Sequence, residues 1–224
     1  MISPEQIAEN IARIRARIAA ASDRSGRDPA DVTLIAVSKT HPPEAIAVAY
    51  AAGIRDFGEN RVQEAAEKIP AARALGVDAT WHLIGNLQRN KVAAALPLFD
   101  VIHSIDSLRL ARAINERSTA GAHVLLEVNV SGEASKHGVS PEDAPDLVER
   151  IGHMRHLALI GLMTVAPVAA DPEDVPAVFR RLRELRDALG VRELSMGMTD
   201  DFEVAIEEGA TFVRVGRAIF GART

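Results

Sequence analysis

The chain has 224 residues, a formal net charge of −5, 47% hydrophobic and 25% charged residues, and no cysteine. That is enough chain to bury a large core as one domain, expected to span residues 1–224. The acidic balance argues against nucleic acid or an anionic membrane as partner, and the missing cysteine excludes disulfides and thiolate-held metals. No apolar stretch approaches the roughly 20 residues of a membrane span, and residues 1–10 lack the apolar core of a signal peptide, so a soluble, cytoplasmic protein is expected.

Ile7, Ile11, Ile14 and Ile18 recur at helical spacing after Ser3-Pro4-Glu5. Ser3 with Gln6 resembles a capping box and Pro4 suits the first helical position, so the chain opens on an amphipathic helix. It ends near Ser25-Gly26-Arg27-Asp28-Pro29. Strands then follow at 33–39, 54–58, 80–85, 100–105, 123–130, 157–165, 193–198 and 211–216. Helices fall between them at 44–52, 61–75, 90–96, 107–118, 141–152, 172–189 and 201–208, with a last helical piece after Ile219-Phe220-Gly221. Strict alternation predicts an α/β fold of βαβ units. Eight strands, with no Gly-x-Gly-x-x-Gly turn after the first, favour a (β/α)8 TIM barrel with an extra N-terminal helix over an open doubly wound sheet.

In such a barrel, function collects at the carboxyl ends of the strands. The first run, Thr33-Leu34-Ile35-Ala36-Val37-Ser38-Lys39, ends on one of only four lysines, the others being Lys68, Lys91 and Lys136. Partial burial there depresses a lysine's pKa and leaves more neutral amine, the species that attacks an aldehyde. The plain alternative is a strand-end lysine that snorkels to solvent. Polar residues close the other strands: Gly58-Glu59-Asn60-Arg61, His82 with Gly85-Asn86, His103-Ser104-Ile105-Asp106, Asn129-Val130-Ser131, Met163-Thr164, Ser195 to Thr199, and Arg214 with Gly216-Arg217.

Ser195-Met196-Gly197-Met198-Thr199-Asp200-Asp201 precedes a helical run, and Val215-Gly216-Arg217-Ala218 supplies a second glycine turn. Hydroxyls, free helix N–H groups and the loops after strands seven and eight together suit a phosphate. Asp200 would alternatively serve as a simple N-cap. Arg214 shares its strand with Val213 and Val215, which face the other way. Its guanidinium needs an acceptor: a rim carboxylate such as Glu59, or an atom of a ligand.

Ile35-Ala36-Val37-Ser38-Lys39, Phe57 to Glu64, Trp81-His82-Leu83-Ile84-Gly85, Leu162-Met163, Leu194 to Thr199 and Arg214-Val215-Gly216 followed by Ile219-Phe220-Gly221 resemble, in order and over nearly the whole chain, the pyridoxal phosphate homeostasis protein family. The resemblance implies a barrel like that of alanine racemase, without that enzyme's second, β-rich domain. It implies pyridoxal 5'-phosphate (PLP) as cofactor, joined to Lys39 as an internal aldimine. The phosphate would lie among Ser195, Thr199, Gly216 and Arg217, and Arg214 would face the pyridine nitrogen. Asn60, His82 and Met163 complete the cofactor-binding set that it implies. Asn86 stands where proline is common, Thr199 where serine is common, and Arg217 where a small hydroxyl residue is common, so at Arg217 the backbone N–H is what carries over.

The resemblance implies a carrier or buffer of PLP in vitamin B6 homeostasis rather than an enzyme. Arginine cannot accept a proton, so the ring nitrogen would stay unprotonated and the electron sink weak. The only tyrosine, Tyr50, reads as packing in the first barrel helix, not as the second base a racemase needs. The rivals are an amino-acid racemase using His82 or His103 as that base, and a Schiff-base aldolase. Apo-enzymes that need PLP are the expected recipients, the chain is expected to be a monomer or weak dimer, and Lys136 is a candidate for a secondary PLP contact.

Overall fold

The computed structural model describes residues 2–133, 137–166 and 175–221. After a leading helix, α1 (Pro4–Arg24), the chain alternates through β1 (Thr33–Val37), α2 (Pro43–Ala51), β2 (Asp56–Glu59), α3 (Val62–Ala74), β3 (Thr80–Leu83), α4 (Val92–Ala95), β4 (Val101–Ile105) and α5 (Leu108–Arg117). It continues through β5 (Ala122–Glu127), α6 (Ala144–Gly152), β6 (Leu157–Met163), α7 (Val175–Leu189), β7 (Glu193–Ser195), α8 (Phe202–Glu207), β8 (Phe212–Val215) and α9 (Arg217–Phe220). The eight strands form one closed barrel in sequence order, and β8 pairs in parallel with β1 to close it. The expected barrel with its extra N-terminal helix is therefore found.

Several strands stop earlier than their sequences suggest: β1 at Val37, β5 at Glu127 and β7 at Ser195. The reason is local turn chemistry beyond each end. After β1, Thr40 adopts φ 67 and the His41 N–H bonds to the Ser38 carbonyl. After β7, Gly197 takes φ 91, and a Cβ there would meet Ala205 Cβ at 2.6 Å. Only glycine satisfies both the dihedral and the close approach of α8. The last helical piece also falls earlier than expected, at Arg217–Phe220, ended by Gly221 at φ 86.

Side chains alternate between two apolar layers, as a barrel requires. One face of each strand joins the large core beneath the helices, where Phe57, Trp81, Leu83, Val213 and Val215 are buried. The other face fills the barrel interior, where Val101, Leu125 and Met163 form a small cluster flanked by Ile160 and Phe212.

α1 lies outside the alternation and packs against α8, α2 and α9. α9 is only four residues long, so α1 takes the place of an eighth barrel helix over the β8–β1 seam. Half of the expected capping box is found: the Ser3 hydroxyl accepts from the Gln6 N–H, while the Gln6 side chain donates to Glu9 and Asn10 rather than reaching back to Ser3. Ile7, Ile11, Ile14 and Ile18 are all buried, each contributing about 2 kcal/mol of apolar burial. Asn10 donates to the Ile219 carbonyl at 2.9 Å, and Arg27 donates to the Ile206 and Ala210 carbonyls at the end of α8. Replacing Ile14 by alanine should lower the unfolding free energy by about 2–5 kcal/mol, because the seam cannot collapse onto the void. Urea unfolding measures this; a loss below about 1 kcal/mol would show that the helix does not hold the seam closed.

Candidate functional site

The turn that carries Lys39 is tied down on both sides. The Ser38 side chain is fully buried and its hydroxyl donates to Glu59 Oε1 at 2.7 Å. Lys68, on α3 and itself buried, donates to the Ser38 carbonyl at 2.9 Å, to Glu59 at 2.9 Å and to Glu64 at 2.5 Å. Glu64 in turn accepts from the Thr40 N–H at 2.6 Å. The backbone is thus fixed at positions 38 and 40, and Lys39 lies between them, half-buried at the barrel mouth. His41 stacks on Phe220 at 5.0 Å, joining this turn to α9.

The cluster divides its charge unevenly. Burial pushes the Glu59 carboxyl up, and the opposing pull of Lys68 and Ser38 does not fully offset it. Burial also works against the Glu64 charge, but Lys68 and the Thr40 N–H outweigh it and hold this carboxyl below its usual range. The cation is spent mainly on Glu64, and Glu59 keeps Oε2 buried without a partner among the described residues. Sequence reasoning missed Lys68 and Glu64 as site residues. Their i,i+4 spacing reads as an ordinary helix-surface ion pair; only the packing of α3 over the ends of β1 and β2 buries it. Glu59, expected at the rim as a partner for Arg214, belongs to this cluster instead, because its strand position faces outward.

Arg214 points into the barrel. It donates to Ser195 Oγ at 2.6 Å and to the Thr164 carbonyl at 2.8 Å. Burial pulls its pKa down to about 10, with Asp201 and Glu127 pulling the other way, so it remains a cation at neutral pH. Its remaining N–H groups have no acceptor among the described residues. Donors beyond these two bonds leave the guanidinium able to meet an acceptor atom of a ligand.

The expected phosphate loops come together, with one change in role. β7 and β8 are neighbours, so Thr199 and Asp200 lie beside Gly216 and Arg217, and one guanidinium nitrogen of Arg217, Nη2, donates to both Asp200 carboxylate oxygens, at 2.6 and 2.7 Å. Asp200 is therefore an ion-pair partner, and the N-cap of α8 is Asp201, whose carboxylate accepts from the Met198 N–H at 2.5 Å. The Ser195 side chain faces inward, fully buried, with its hydroxyl between Arg214 and His103. The first N–H groups of α9, at Arg217 and Ala218, have no intrahelical acceptor.

The other expected contacts sort by depth. Asn60 follows β2 with its Oδ1 buried and unpartnered among the described residues. Gly85 crosses so close that a Cβ would come within 2.3 Å of the Asn60 carbonyl. His82 lies deeper, bonded to Asp56 at 3.0 Å and to His103 at 2.9 Å. His103 is an interior residue rather than a rim one. Met163 belongs to the interior apolar cluster. Lys136 lies outside the described residues. Tyr50 sits under the Arg55 guanidinium, 4.2 Å from its ring centre, beside the start of β2 and so at the barrel end opposite Lys39.

Comparison with known proteins extends the likeness over the whole chain. The profile of the family described as "Alanine racemase, N-terminal domain" matches residues 2–224. A "Pyridoxal phosphate homeostasis protein" of Pseudomonas aeruginosa is 50% identical over 222 residues, 97% of this chain and 96% of that one. The solved structure of PipY from Synechococcus elongatus with PLP bound is 37% identical, covers 96% of this chain and 100% of its own, and has a TM-score of 0.84. An alanine racemase from Corynebacterium glutamicum is 18% identical with a TM-score of 0.69; the match covers 98% of this chain and 61% of the racemase, a likeness of fold.

Removing the cation of the clamp should expose the strain on Glu59. In Lys68→Met the Glu59 carboxyl, already raised by burial, loses its main opposing charge. A carboxyl raised in the folded state binds protons there first, so this contribution to stability grows as pH falls towards the unfolded pKa. The variant should lose about 3–5 kcal/mol at pH 7, and its deficit against the parent should shrink between about pH 7 and about pH 5. Denaturant unfolding across that range tests it; a deficit that widens on acidification would place the buried charge elsewhere.

Proposed function

From the premise that this chain belongs to the alanine racemase N-terminal domain family, and within it to the pyridoxal phosphate homeostasis proteins, we propose that it binds PLP through Lys39 and keeps the cofactor exchangeable, buffering its supply to PLP-dependent apo-enzymes. The observation that carries the reading is Arg214, a buried guanidinium with N–H groups that have no acceptor among the described residues. A pyridine nitrogen is an acceptor of the right kind for it. When bound, PLP supplies an aldehyde carbon that bonds reversibly to an amine.

The chain's own residues then have separable tasks. Lys39 offers the amine, from a turn whose neighbours are fixed by Lys68, Glu59 and Glu64. Arg214 donates to the ring nitrogen. The Thr199 hydroxyl and the backbone N–H groups of Gly216, Arg217 and Ala218 receive the phosphate, and the Asn60 amide supplies a further polar contact. Ser195 and His82 act from beneath, through Arg214, and Met163 packs the floor of the site. Arg217 is held by Asp200 at the surface, where its charge attracts the phosphate without needing to touch it.

A non-catalytic role is supported by what surrounds the ring position. A cationic donor at the nitrogen opposes its protonation and weakens carbanion stabilisation. Tyr50 belongs to the far end of the barrel. His103 has both ring nitrogens committed to hydrogen bonds, and burial, His82 and Arg214 together hold its pKa well below the ordinary range. Neither residue is placed to serve as a second base. No helix among the described residues is long and apolar enough to cross a membrane, and the proposed place of action is the cytoplasm.

Borohydride reduction of the PLP-loaded protein should fix one phosphopyridoxyl group on the peptide containing Lys39, and Lys39→Ala should take none. Pyridoxal lacking the phosphate should bind at least about tenfold more weakly, the loss of one charge-assisted hydrogen bond or more. Amino acids should displace the cofactor without being turned over. Sustained turnover of an amino acid, abolished in Lys39→Ala, would make the protein an enzyme.

A further inference from the structure

A line of hydrogen-bonded side chains crosses the barrel interior: Arg214 to Ser195 at 2.6 Å, Ser195 to His103 at 2.8 Å, His103 to His82 at 2.9 Å and His82 to Asp56 at 3.0 Å. It joins four inward strand positions and the first residue of β2, where the Asp56 side chain is partly open to solvent. The Phe212 ring closes one side, 5.6 Å from His103 and 5.7 Å from His82.

Proton counting fixes the direction of this line. Arg214 only donates, so Ser195 Oγ accepts from it. Among the described residues the Ser195 proton has one remaining partner, His103 Nδ1, which must therefore accept. The proton of neutral His103 then lies on Nε2 and faces His82 Nδ1, which must accept in its turn. His82 is left to donate through Nε2 to Asp56, and a carboxylate accepts. Every bond runs one way, from guanidinium to carboxylate, with both imidazoles neutral. Reversing His103 would aim two donors at Ser195 and leave its own proton without an acceptor among the described residues, and reversing His82 alone would set two N–H groups face to face between the rings.

We infer that His103, backed by His82 and Asp56, is a positioning residue for Arg214: it turns the Ser195 hydroxyl into a fixed acceptor, so that the unused N–H groups of the guanidinium are held towards the ring nitrogen of the ligand. The inference rests on the PLP reading above for its ligand, but not for the direction of the line. Burial and the neighbouring Arg214 charge, which keep His103 from protonating, act in the same sense.

Two measurements test it. The first is the ring-nitrogen NMR spectrum of the ligand-free full chain near neutral pH, with His82→Asn and His103→Asn used for assignment. Both residues should be neutral with the proton on Nε2; an Nδ1 proton or an imidazolium at His103 would overturn the inference. The second compares PLP with an analogue carrying C–H in place of the ring nitrogen. His103→Phe should weaken PLP about tenfold, the cost of loosening one hydrogen bond from a charged donor, and leave the analogue's affinity unchanged. His103→Asn, which keeps an acceptor towards Ser195, should recover most of the loss. Equal weakening of both ligands in His103→Phe would reduce His103 to packing and overturn the inference. If the parent protein takes up no PLP, the functional reading falls, and the nitrogen spectra still decide the direction of the line.

Discussion

Pairing of β8 with β1 is the interaction on which the rest depends. Register across it sets Ile35 beside Arg214 and Ala36 beside Val215. The turn after β1 therefore comes out next to the turn after β8, and residues separated by most of the chain share one mouth. A Cβ on Gly216 would lie 3.1 Å from the Val37 carbonyl, a measure of how closely the two strand ends approach. Without closure, Lys39 and Arg214 would be far ends of an open sheet. α1 covers this seam because the helix after β8 is too short to do so.

Closure also creates an interior that must be filled from strand positions of one parity. Part of the filling is apolar, with Val101 of β4, Leu125 of β5 and Met163 of β6. The rest is polar, with His82, His103, Glu127, Ser195 and Arg214 all buried. Such groups cost free energy unless each donor finds an acceptor. His82, His103, Ser195 and Arg214 meet that cost by bonding to one another in series, and the series ends on a carboxylate at one end and on a guanidinium at the other.

The Lys68 cluster follows a different logic. Glu59 faces away from the interior, so its partner comes from α3, outside the barrel. A buried ion pair adds little net stability over apolar packing, because desolvation consumes most of the attraction. Its consequence here is geometric: one cation bonds the Ser38 carbonyl, and the two carboxylates it gathers bond the Ser38 hydroxyl and the Thr40 N–H. A left-handed φ at Thr40 persists because its surroundings determine it from several sides.

The sequence by itself determined the alternation of strands and helices, the capped opening helix with its four isoleucines, and the strand ends at which polar residues collect. These are carried by hydrophobic period, capping residues and glycine turns, all local in the chain. It also brought Lys39, Arg214 and the two glycine turns to one rim, since strand order and parity follow from a barrel once one is assumed. Tertiary structure alone decided where each side chain spends its hydrogen bonds. Ser195 turned inward to Arg214 and His103 by strand parity, its neighbour Leu194 facing the outer core. His103 left the rim for the interior by strand parity, and Glu59 joined Lys68 rather than Arg214 by the same rule. Asp200 went to Arg217, and the N-cap position fell to Asp201. Each of these outcomes depends on the register between strands and on a helix packed across them, and a linear pattern holds no record of which distant donor a buried acceptor will meet.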